Sequence, residues 1–428
     1  MKRLALLVFG IIFSLADAIC QNEVSGVYVG GHIRRERPGT ITTLRNSGFT
    51  YVILFNVHVD PDGTLKTDGE TICKDGVYVF QEKQPYYQQD VKNLKTAPTS
   101  ISRIDICIGG WGNDAYTNIK NLVNSQGTGP NSILYRNFKA LKEAVPEIDA
   151  VNNDIEQDYD VESGAKFHIM MYDLGYKTTL APYTYMNYWT SLCSKIRASR
   201  PKAVDRVMIQ CYDGGAGNVN SVGSWNFTGV SNRHAGLMYY SNDWNLEKNL
   251  AQFQKWHDDG VATGGFVWVY NSEEWNLNAW ASGMNRIFGA VTVPEEEVVV
   301  RCYSEKNFKG YCVPLPVGKF TQADLAVYGL TANDLSSIEL VDDFYQVYLY
   351  TSNNCTGTRI RRTSSAKILS SNYDNKVCSI LIEPNPTRIE SLSDSPSKNG
   401  NIYNLAGQRI GKMQKGVNIV NGKKIFVK

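Results

Sequence analysis

The chain has 428 residues, of which 43% are hydrophobic and 20% charged, and these values exclude wholesale disorder. The 44 basic and 42 acidic residues give a net charge of +2, which argues against a nucleic-acid partner because such binders usually carry a strongly basic field. Five histidines leave little material for His-built metal sites, whereas 25 tyrosines and 8 tryptophans suit surfaces that stack on sugars. At about 150 residues per domain, the length predicts two or three domains.

Residues 1–20 have the pattern of a signal peptide. Two basic residues precede an apolar run over 4–15, and Ala16 and Ala18 supply the small residues of a cleavage site. The run is shorter than the roughly 20 residues of a membrane-spanning helix, and no second run follows. We therefore expect a secreted or extracytoplasmic protein that does not span the membrane, with cell-surface attachment, for example through a lipid on Cys20, as the alternative.

The eight remaining cysteines predict disulfides rather than metal ligands, because an even count in an exported protein favours oxidation. None of them forms a Cys-x-x-Cys pair. Cys302 and Cys312 flank a short hairpin-like stretch and are the best local pair. The spacing leaves the other connectivities open.

Residues 21–293 alternate short apolar runs with helical patterns. Eight such runs interleaved with helices predict an α/β fold, the (β/α)8 TIM barrel, in which catalytic groups lie at the carboxyl ends of the strands. The eight predicted strands are 26–29, 51–57, 104–108, 150–155, 178–182, 207–212, 237–240 and 265–270.

The run 149–156 is the most informative stretch, because Asn152, Asp154 and Glu156 alternate along it. Strand side chains repeat every two residues, so these three face one side, and burying three polar groups inside a barrel would be costly as plain structure. Neighbouring acids raise each other's pKa, which keeps one protonated near neutral pH, as a general acid for glycosidic cleavage requires. The alternative is a solvent-exposed acidic strand end, since residues 157–160 continue the polarity.

The same run resembles the DxxDxDxE signature of glycoside hydrolase family 18, which includes chitinases and endo-β-N-acetylglucosaminidases. The stretches 108–111, 210–213 and 264–268 are similar to the family's third-, sixth- and eighth-strand motifs, in the same order. Asn152 stands where the signature usually has Asp, which puts the handling of protons in doubt. Cys107 stands in the Ser position of the third-strand motif.

The resemblance implies a substrate-assisted retaining mechanism. The 2-acetamido group of the sugar on the non-reducing side would attack its own anomeric carbon while Glu156 protonates the leaving oxygen, and Glu156 would then act as base for water. Asp154 would hydrogen-bond the acetamido nitrogen, and Tyr212 would donate to the acetamido oxygen. No cofactor would be required. The substrate would contain N-acetylglucosamine, as chitin, chitooligosaccharides and the chitobiose core of N-glycans do.

Other polar and aromatic residues near the predicted strand ends either contact the sugar or serve the fold. Trp268 would form the floor beneath the reacting sugar or pack in the barrel core, and Asp213 would bind a hydroxyl or cap a helix. The residues expected to bind substrate are Tyr28, Trp111, Asn152, Gln210, Asp213 and Trp268, with Tyr183, Tyr185 and Trp189 as further stacking candidates.

In residues 296–383 the sequence pattern changes to short predicted strands separated by Gly, Asn and Ser turns. The region contains two similar halves of about 45 residues, and such a duplication predicts an all-β Greek-key domain. It resembles the βγ-crystallin fold, in which each half carries an N/D-N/D-x-x-S/T-S segment that binds calcium. Residues 332–337 and 374–379 match that segment with one departure each.

The βγ-crystallin resemblance implies a structural calcium ion, since calcium takes oxygen ligands. Ala332 and Cys378 are the two departures, and the Cys378 thiol supplies no oxygen. A purely structural or sugar-binding module is the alternative. The candidate calcium ligands are Asn333, Ser336 and Asp374.

Residues 384–400 are rich in Pro, Ser, Asn and charge, which is typical of a linker. Residues 401–428 resume short alternating strands and resemble C-terminal sorting or anchoring domains of exported proteins; a poorly ordered basic end is the alternative.

Two non-enzymatic functions rival the glycosidase. One is a non-catalytic chitin- or glycan-binding lectin on the same barrel, and the other is an adhesin whose working part is the calcium-loaded Greek-key domain. Lectins on this barrel typically lose the terminal Glu, whereas this chain keeps Glu156, Asp154 and Tyr212, so the enzyme is the favoured hypothesis.

Overall fold

A computed structural model describes residues 22–239, 245–270 and 276–386, and in the C-terminal segment residues 402–404, 407–414, 416–420 and 423–427. The predicted signal peptide (1–20) and residues 387–400 of the predicted linker lie outside the described residues. Within those described ranges, no helix is long and apolar enough to cross a membrane.

Eight parallel strands close into a barrel, because the first strand pairs with both the second and the eighth. Helices surround the barrel and cover the outward apolar side chains of its strands. The barrel strands, first to eighth, are Ser25–Val29, Tyr51–Val59, Arg103–Gly109, Ala150–Asp154, Lys177–Leu180, Val204–Gln210, Asn232–Met238 and Gly264–Tyr270. The helices of this region are His32–Arg35, Gly39–Arg45, Tyr87–Lys95, Ala115–Gln126, Ile133–Ala144, Val161–Asp173, Met186–Ser199, Leu246–Asp258 and Leu277–Phe288.

The predicted barrel is confirmed, with one strand misplaced. The seventh strand begins at Asn232, five residues before the predicted start, because Arg233 and His234 interrupt the apolar pattern there. The His234 ring is nevertheless buried, and its Nδ1 lies 2.7 Å from the Tyr51 hydroxyl. A buried hydrogen bond therefore stabilises a position at which a strand prediction expects an apolar residue.

A small antiparallel extension of the second strand was not among the predicted elements. Strands Leu65–Thr67, Glu70–Lys74 and Val77–Tyr78 continue the sheet outward from His58 and Val59. Both of its turns are Asp-Gly pairs with positive φ, at 68–69 and 75–76. Asp-Gly is the strongest short signal for a type I′ hairpin, so the sequence did carry the information.

The predicted all-β region consists of two antiparallel sheets around a second apolar core. A short helix, Gln322–Val327, was not predicted; a capping box between Thr321 and Asp324 starts it. One sheet contains Lys309–Leu315, Val300–Glu305 and Ser337–Leu340, and the other contains Gly318–Phe320, Ser379–Pro384, Tyr345–Ser352 and Thr356–Arg362.

This all-β region packs against the last barrel helix. Asn285 on that helix donates to the backbone oxygen of Ala326 at 2.9 Å. The Arg286 guanidinium lies 3.8 Å from the ring centroid of Tyr311. At the C-terminal end of the chain, four further strands form a separate antiparallel sheet: Ile402–Asn404, Arg409–Ile410, Gly416–Val420 and Lys423–Val427.

The disulfide prediction is wrong. All eight cysteines among the described residues are free. Cys302 pairs across the strands with Val313, and Cys312 pairs with Tyr303, so the two thiols are one position out of register. Because side chains alternate between the faces of a sheet, Cys302 is buried and Cys312 is exposed.

Candidate active site

The fourth barrel strand directs its polar residues as the period of two predicts. Asn152 is fully buried inside the barrel, where its Oδ1 accepts a 3.0 Å hydrogen bond from the Tyr28 hydroxyl. Asn153 faces outward, and its amide lies 2.8 Å from Nε2 of His168 on a surrounding helix. The next inward residue, Asp154, therefore lies at the carboxyl end of the strand, where barrel active sites form.

Asp154 is buried, with 5% of its surface exposed. Its Oδ1 accepts a 2.8 Å hydrogen bond from Nε2 of Gln210, and its Oδ2 lies 3.9 Å from the Cys107 thiol. Burial and, after it, the negative charge of Glu156 raise the pKa of Asp154 to about 7. A carboxyl group with that pKa exchanges its proton near neutral pH.

Glu156 is half-buried just beyond the strand. Burial and, after it, the charge of Asp213 raise the pKa of this carboxyl group above its ordinary value. Within the described part of the chain, neither Asp154 nor Glu156 forms an ion pair. Two carboxyl groups with raised pKa and no cation between them can donate and accept protons.

A cleft of about 530 Å³ opens above these carboxyl groups. Its floor is aromatic: the Trp268 ring lies edge-on to Phe55 at 4.8 Å and to Tyr28 at 5.1 Å, and nearly parallel to Tyr212 at 6.3 Å. An apolar floor beneath carboxylates suits a sugar ring. The residues that line the cleft are Phe55, Gly110, Trp111, Asp154, Glu156, Tyr183, Gln210, Tyr212, Asp213, Gly214 and Trp268.

Two glycines allow the third-strand loop to approach the end of the fourth strand. The Gly110 N–H donates to the backbone oxygen of Asp154 at 2.7 Å. A Cβ on Gly109 would lie only 2.2 Å from the same oxygen, and both glycines have positive φ. This loop carries Trp111, whose side chain is 91% exposed at the rim. The Gly-Gly pair therefore positions an aromatic ring beside the carboxyl groups.

The end of the sixth strand supplies the opposite wall. Burial holds the pKa of the Tyr212 phenol well above its ordinary value, so this hydroxyl stays protonated and can donate a hydrogen bond. Asp213 adopts a left-handed conformation, with φ of 45°. Such backbone strain in a non-glycine residue persists where the surroundings impose it, often at functional sites.

Seven of the predicted site residues come together in the cleft, and two lie beneath it. The seven are Trp111, Asp154, Glu156, Gln210, Tyr212, Asp213 and Trp268. Tyr28 and Asn152 do not line the cleft: they are bonded to each other and buried below Trp268. They therefore support the floor.

The further aromatic candidates divide in the same way. Tyr183 lines the cleft, Tyr185 is 63% exposed but does not line it, and Trp189 is fully buried in the core. Phe55 was missed, although its position near the end of the second apolar run could have indicated it. Gly214 was also missed, and no sequence signal distinguishes it from other loop glycines.

The candidate calcium ligands belong to two segments that lie side by side and exchange backbone hydrogen bonds. Their oxygens are of the type that calcium prefers. Asn333 Oδ1, however, faces the Cys378 thiol at 3.3 Å, and Asp374 forms a 3.0 Å ion pair with Lys306. In this arrangement two of the three candidate ligands are already engaged, Asp374 by a cation and Asn333 by a thiol. In the described ranges, no group of three or more His, Cys, Asp or Glu side chains is arranged to hold a metal.

No protein-family model matches the chain, and no curated protein matches it either. Among solved structures, the N-terminal domain of protein S is 29% identical over 20% of this chain and 96% of its own, with a TM-score of 0.19. A βγ-crystallin domain from Flavobacterium johnsoniae is 28% identical over 21% of this chain and 97% of its own, with a TM-score of 0.20. One from Clostridium beijerinckii is 26% identical over 20% of this chain and 95% of its own, with a TM-score of 0.19. Each of these three likenesses covers about a fifth of the chain and says nothing about the chemistry of the barrel.

Proposed function

We propose that the barrel is a glycoside hydrolase of the family 18 type, which cleaves the β-1,4 bond after an N-acetylglucosamine residue. The observation that carries this proposal is that two carboxyl groups, Asp154 and Glu156, form no ion pair with any described residue and lie beside the Tyr212 phenol in an aromatic cleft. Carboxyl groups with raised pKa are what acid catalysis near neutral pH requires.

In the first step, Glu156 donates its proton to the glycosidic oxygen, and the bond from that oxygen to the anomeric carbon breaks. The acetamido oxygen of the same sugar forms the new bond to the anomeric carbon, so the protein supplies no nucleophile. The half-buried position of Glu156 at the cleft favours this role, because its raised pKa keeps the proton available.

Asp154 and Tyr212 act on the acetamido group. Asp154 accepts a hydrogen bond from the acetamido N–H and balances the positive charge of the oxazolinium-like intermediate, and Tyr212 donates to the acetamido oxygen. In the second step, the Glu156 carboxylate takes a proton from water, whose oxygen attacks the anomeric carbon and releases the acetamido oxygen. Configuration is therefore retained.

The substrate would be chitin, a chitooligosaccharide or the chitobiose core of an N-glycan, since all three present the same scissile unit. Trp268 would lie beneath the reacting sugar, and Trp111 would stack on a sugar at the rim. We further propose that the protein is exported, that its C-terminal sheet attaches it to the cell surface, and that calcium, if it binds, stabilises the Greek-key region.

The test is hydrolysis of a fluorogenic N,N′-diacetylchitobioside and of a high-mannose glycopeptide by wild type and Glu156→Gln. We expect wild type to cleave one of them and the variant to lose at least about a hundredfold in kcat, as loss of a general acid predicts. Glu162→Gln is the matched control, because Glu162 is exposed on the following helix and pairs with Lys195. Its rate should equal that of wild type.

A non-catalytic lectin is the second candidate, favoured by one observation: Asn152 replaces the Asp of the family signature and contacts Tyr28 and Met208 rather than Asp154. If wild type cleaves neither substrate yet binds chitooligosaccharide, the lectin stands and the hydrolase is overturned.

A further inference from the structure

Gln210 has a fixed orientation beside Asp154. Its Nε2 donates to Asp154 Oδ1 and to the backbone oxygen of Ala181, both at 2.8 Å. Because a backbone carbonyl only accepts hydrogen bonds, the NH2 end of the amide must be the end that faces Ala181. The same NH2 group therefore reaches Asp154, and the amide has no alternative rotamer that keeps both bonds.

The backbone of Gln210 is held equally firmly. Its N–H donates to the backbone oxygen of Pro182 at 2.9 Å, and its own oxygen accepts from the Asn218 side chain at 2.8 Å. A Cβ on Gly215 would lie 2.3 Å from that oxygen, so the following loop closes tightly over it. A side chain supported in this way can position a neighbour to within tenths of an ångström.

Asp154 has little else to orient it. The Cys107 thiol, 3.9 Å from Oδ2, is a weak donor. Asn152, two residues earlier on the same strand, uses its amide on Tyr28 and Met208. In the part of the chain that the structure describes, Gln210 is thus the strong hydrogen-bond donor to the Asp154 side chain.

We propose that Gln210 is a positioning residue that holds Asp154 Oδ1, leaves Oδ2 to the substrate, and stabilises the charged form of this carboxyl group. As a statement about catalysis it rests on the proposed function; as a statement about Asp154 it does not. It also replaces our expectation from sequence that Gln210 binds the sugar directly.

The hydrogen bond from Gln210 also affects the pH at which Asp154 ionises. Burial and the charge of Glu156 raise the pKa of Asp154 to about 7, and the hydrogen bond from Gln210 lowers it. Removing that bond should therefore raise the pKa further. The titratable groups that face Asp154 are Glu156 on the same strand end, Tyr28 on the first strand, Cys107 on the third, Tyr212 after the sixth, and Tyr116 on the helix Ala115–Gln126.

The first measurement is the pH profile of Gln210→Met, a substitution of similar length without a donor. If Asp154 must be ionised in the reaction, we expect the acidic limb of kcat to move up by about one pH unit, since a hydrogen bond to a charged group has about that effect on a pKa. KM should change little. Gln346→Met is the matched control: Gln346 is buried in the Greek-key region and donates to Glu383 at 2.8 Å. Its profile should coincide with that of wild type.

The second measurement needs no activity. Tm is followed from pH 5 to 8.5 for wild type and Gln210→Met, and for both again with Asp154→Asn. Because a raised pKa makes ionisation destabilising as pH rises, the deficit of Gln210→Met should grow above pH 7 with Asp154 and be independent of pH with Asn at that position.

The two measurements separate the possible failures. A wild type without glycosidase activity overturns the proposed function only, and the Tm series still decides whether Gln210 governs the charge of Asp154. A Tm deficit that does not change with pH, or that changes equally with Asn at position 154, overturns the inference. So does an active Gln210→Met variant whose acidic limb coincides with that of wild type.

Discussion

The two ends of the barrel both bury charged side chains, but they treat them differently. At the amino end, Arg103 lies between Asp105 and Asp205, with nitrogen–oxygen distances of 2.7 and 2.8 Å. At the carboxyl end, Asp154 and Glu156 have no cation beside them, and the pKa of each is raised. Burial is common to both ends, and pairing is what differs.

The pairing at the amino end is nearly complete. Arg103 also donates to Thr179 at 2.9 Å, and Thr179 in turn donates to Asp105. Burial opposes the charge on Arg103, but Asp105 and Asp205 outweigh it, so the pKa of the guanidinium lies well above its ordinary value. The Arg103 guanidinium therefore stays protonated, and its ion pairs hold the strands of this end together.

At the carboxyl end of the barrel, the arrangement of charged side chains is unfavourable instead. Keeping Asp154 buried without a cation destabilises its charged form. Among the described residues, the hydrogen bond from Gln210 and, more weakly, the Cys107 thiol offset this cost. Perturbed, unpaired carboxyl groups in a cleft are the usual mark of a functional site. The comparison indicates that ion pairing, more than burial, distinguishes the charged side chains that stabilise this barrel from those that can exchange protons.

Removing the buried cation at the amino end of the barrel should produce the largest loss of stability. Arg103→Met leaves Asp105 and Asp205 without their cation, and removing one partner of a buried ion pair costs about 3–5 kcal/mol. We expect a loss of that size in the free energy of unfolding, measured by urea denaturation at pH 7. Arg200→Met is the control, because Arg200 forms an equally short pair, 2.7 Å from Asp173, on the surface. Exposed pairs contribute about 0–1 kcal/mol. Equal losses in the two variants would contradict the comparison.

Removing the charge of Asp154 at the carboxyl end should increase the free energy of unfolding rather than decrease it. The pKa of Asp154 is about 7 when folded and about 3.9 when unfolded. The folded state therefore binds the proton more tightly, and stability falls as pH rises between these values. Asp154→Asn removes that penalty, so it should be more stable than wild type at pH 8, by at most about 4 kcal/mol, with the advantage vanishing towards pH 4.

Asp160 is the control, because its substitution should change the free energy of unfolding in the opposite direction. Asp160 begins the helix Val161–Asp173, and hydrogen bonds from Ser163 hold its pKa below the ordinary value. Asp160→Asn should therefore be less stable than wild type above pH 4. Urea denaturation at pH 4, 6 and 8 measures both variants. An Asp154→Asn variant less stable than wild type at pH 8 would show that the carboxylate is better stabilised than its contacts suggest.

Much of this contrast could be predicted from the sequence, because it depends on periodicity. The apolar runs gave the eight strands, and the alternation along 149–156 indicated which side chains enter the barrel. Part of the seventh strand was not predicted, since Arg233 and His234 break the apolar pattern and are accommodated by tertiary contacts. A local pattern does not contain the partner of a buried polar group.

The rest of the site depends on contacts between distant strands. The bond between Gln210 and Asp154 joins the sixth strand to the fourth across the barrel interior, and nothing local to either residue predicts it. Tyr28 was expected in the cleft because it lies near a predicted strand end, but the Trp268 ring packs against it at 5.1 Å and Tyr28 is buried. Cys302 and Cys312 were paired by proximity in sequence, whereas register puts their thiols on opposite faces.

The smallest expected effect concerns the charge that Asp213 adds to the unpaired end. Burial raises the pKa of Glu156 first and Asp213 raises it further, so Asp213→Asn should lower that pKa. In the proposed mechanism Glu156 must be protonated. The alkaline limb of kcat/KM should therefore move to lower pH by a few tenths of a unit, within the range of one exposed charge near another. Asn tolerates the left-handed conformation at this position, which keeps the backbone unchanged. Asp158→Asn is the control, since Asp158 is also left-handed but its carboxylate pairs with Lys120. If both variants shift the limb equally, the effect is one of net charge, and pairing does not decide which carboxylates act on Glu156.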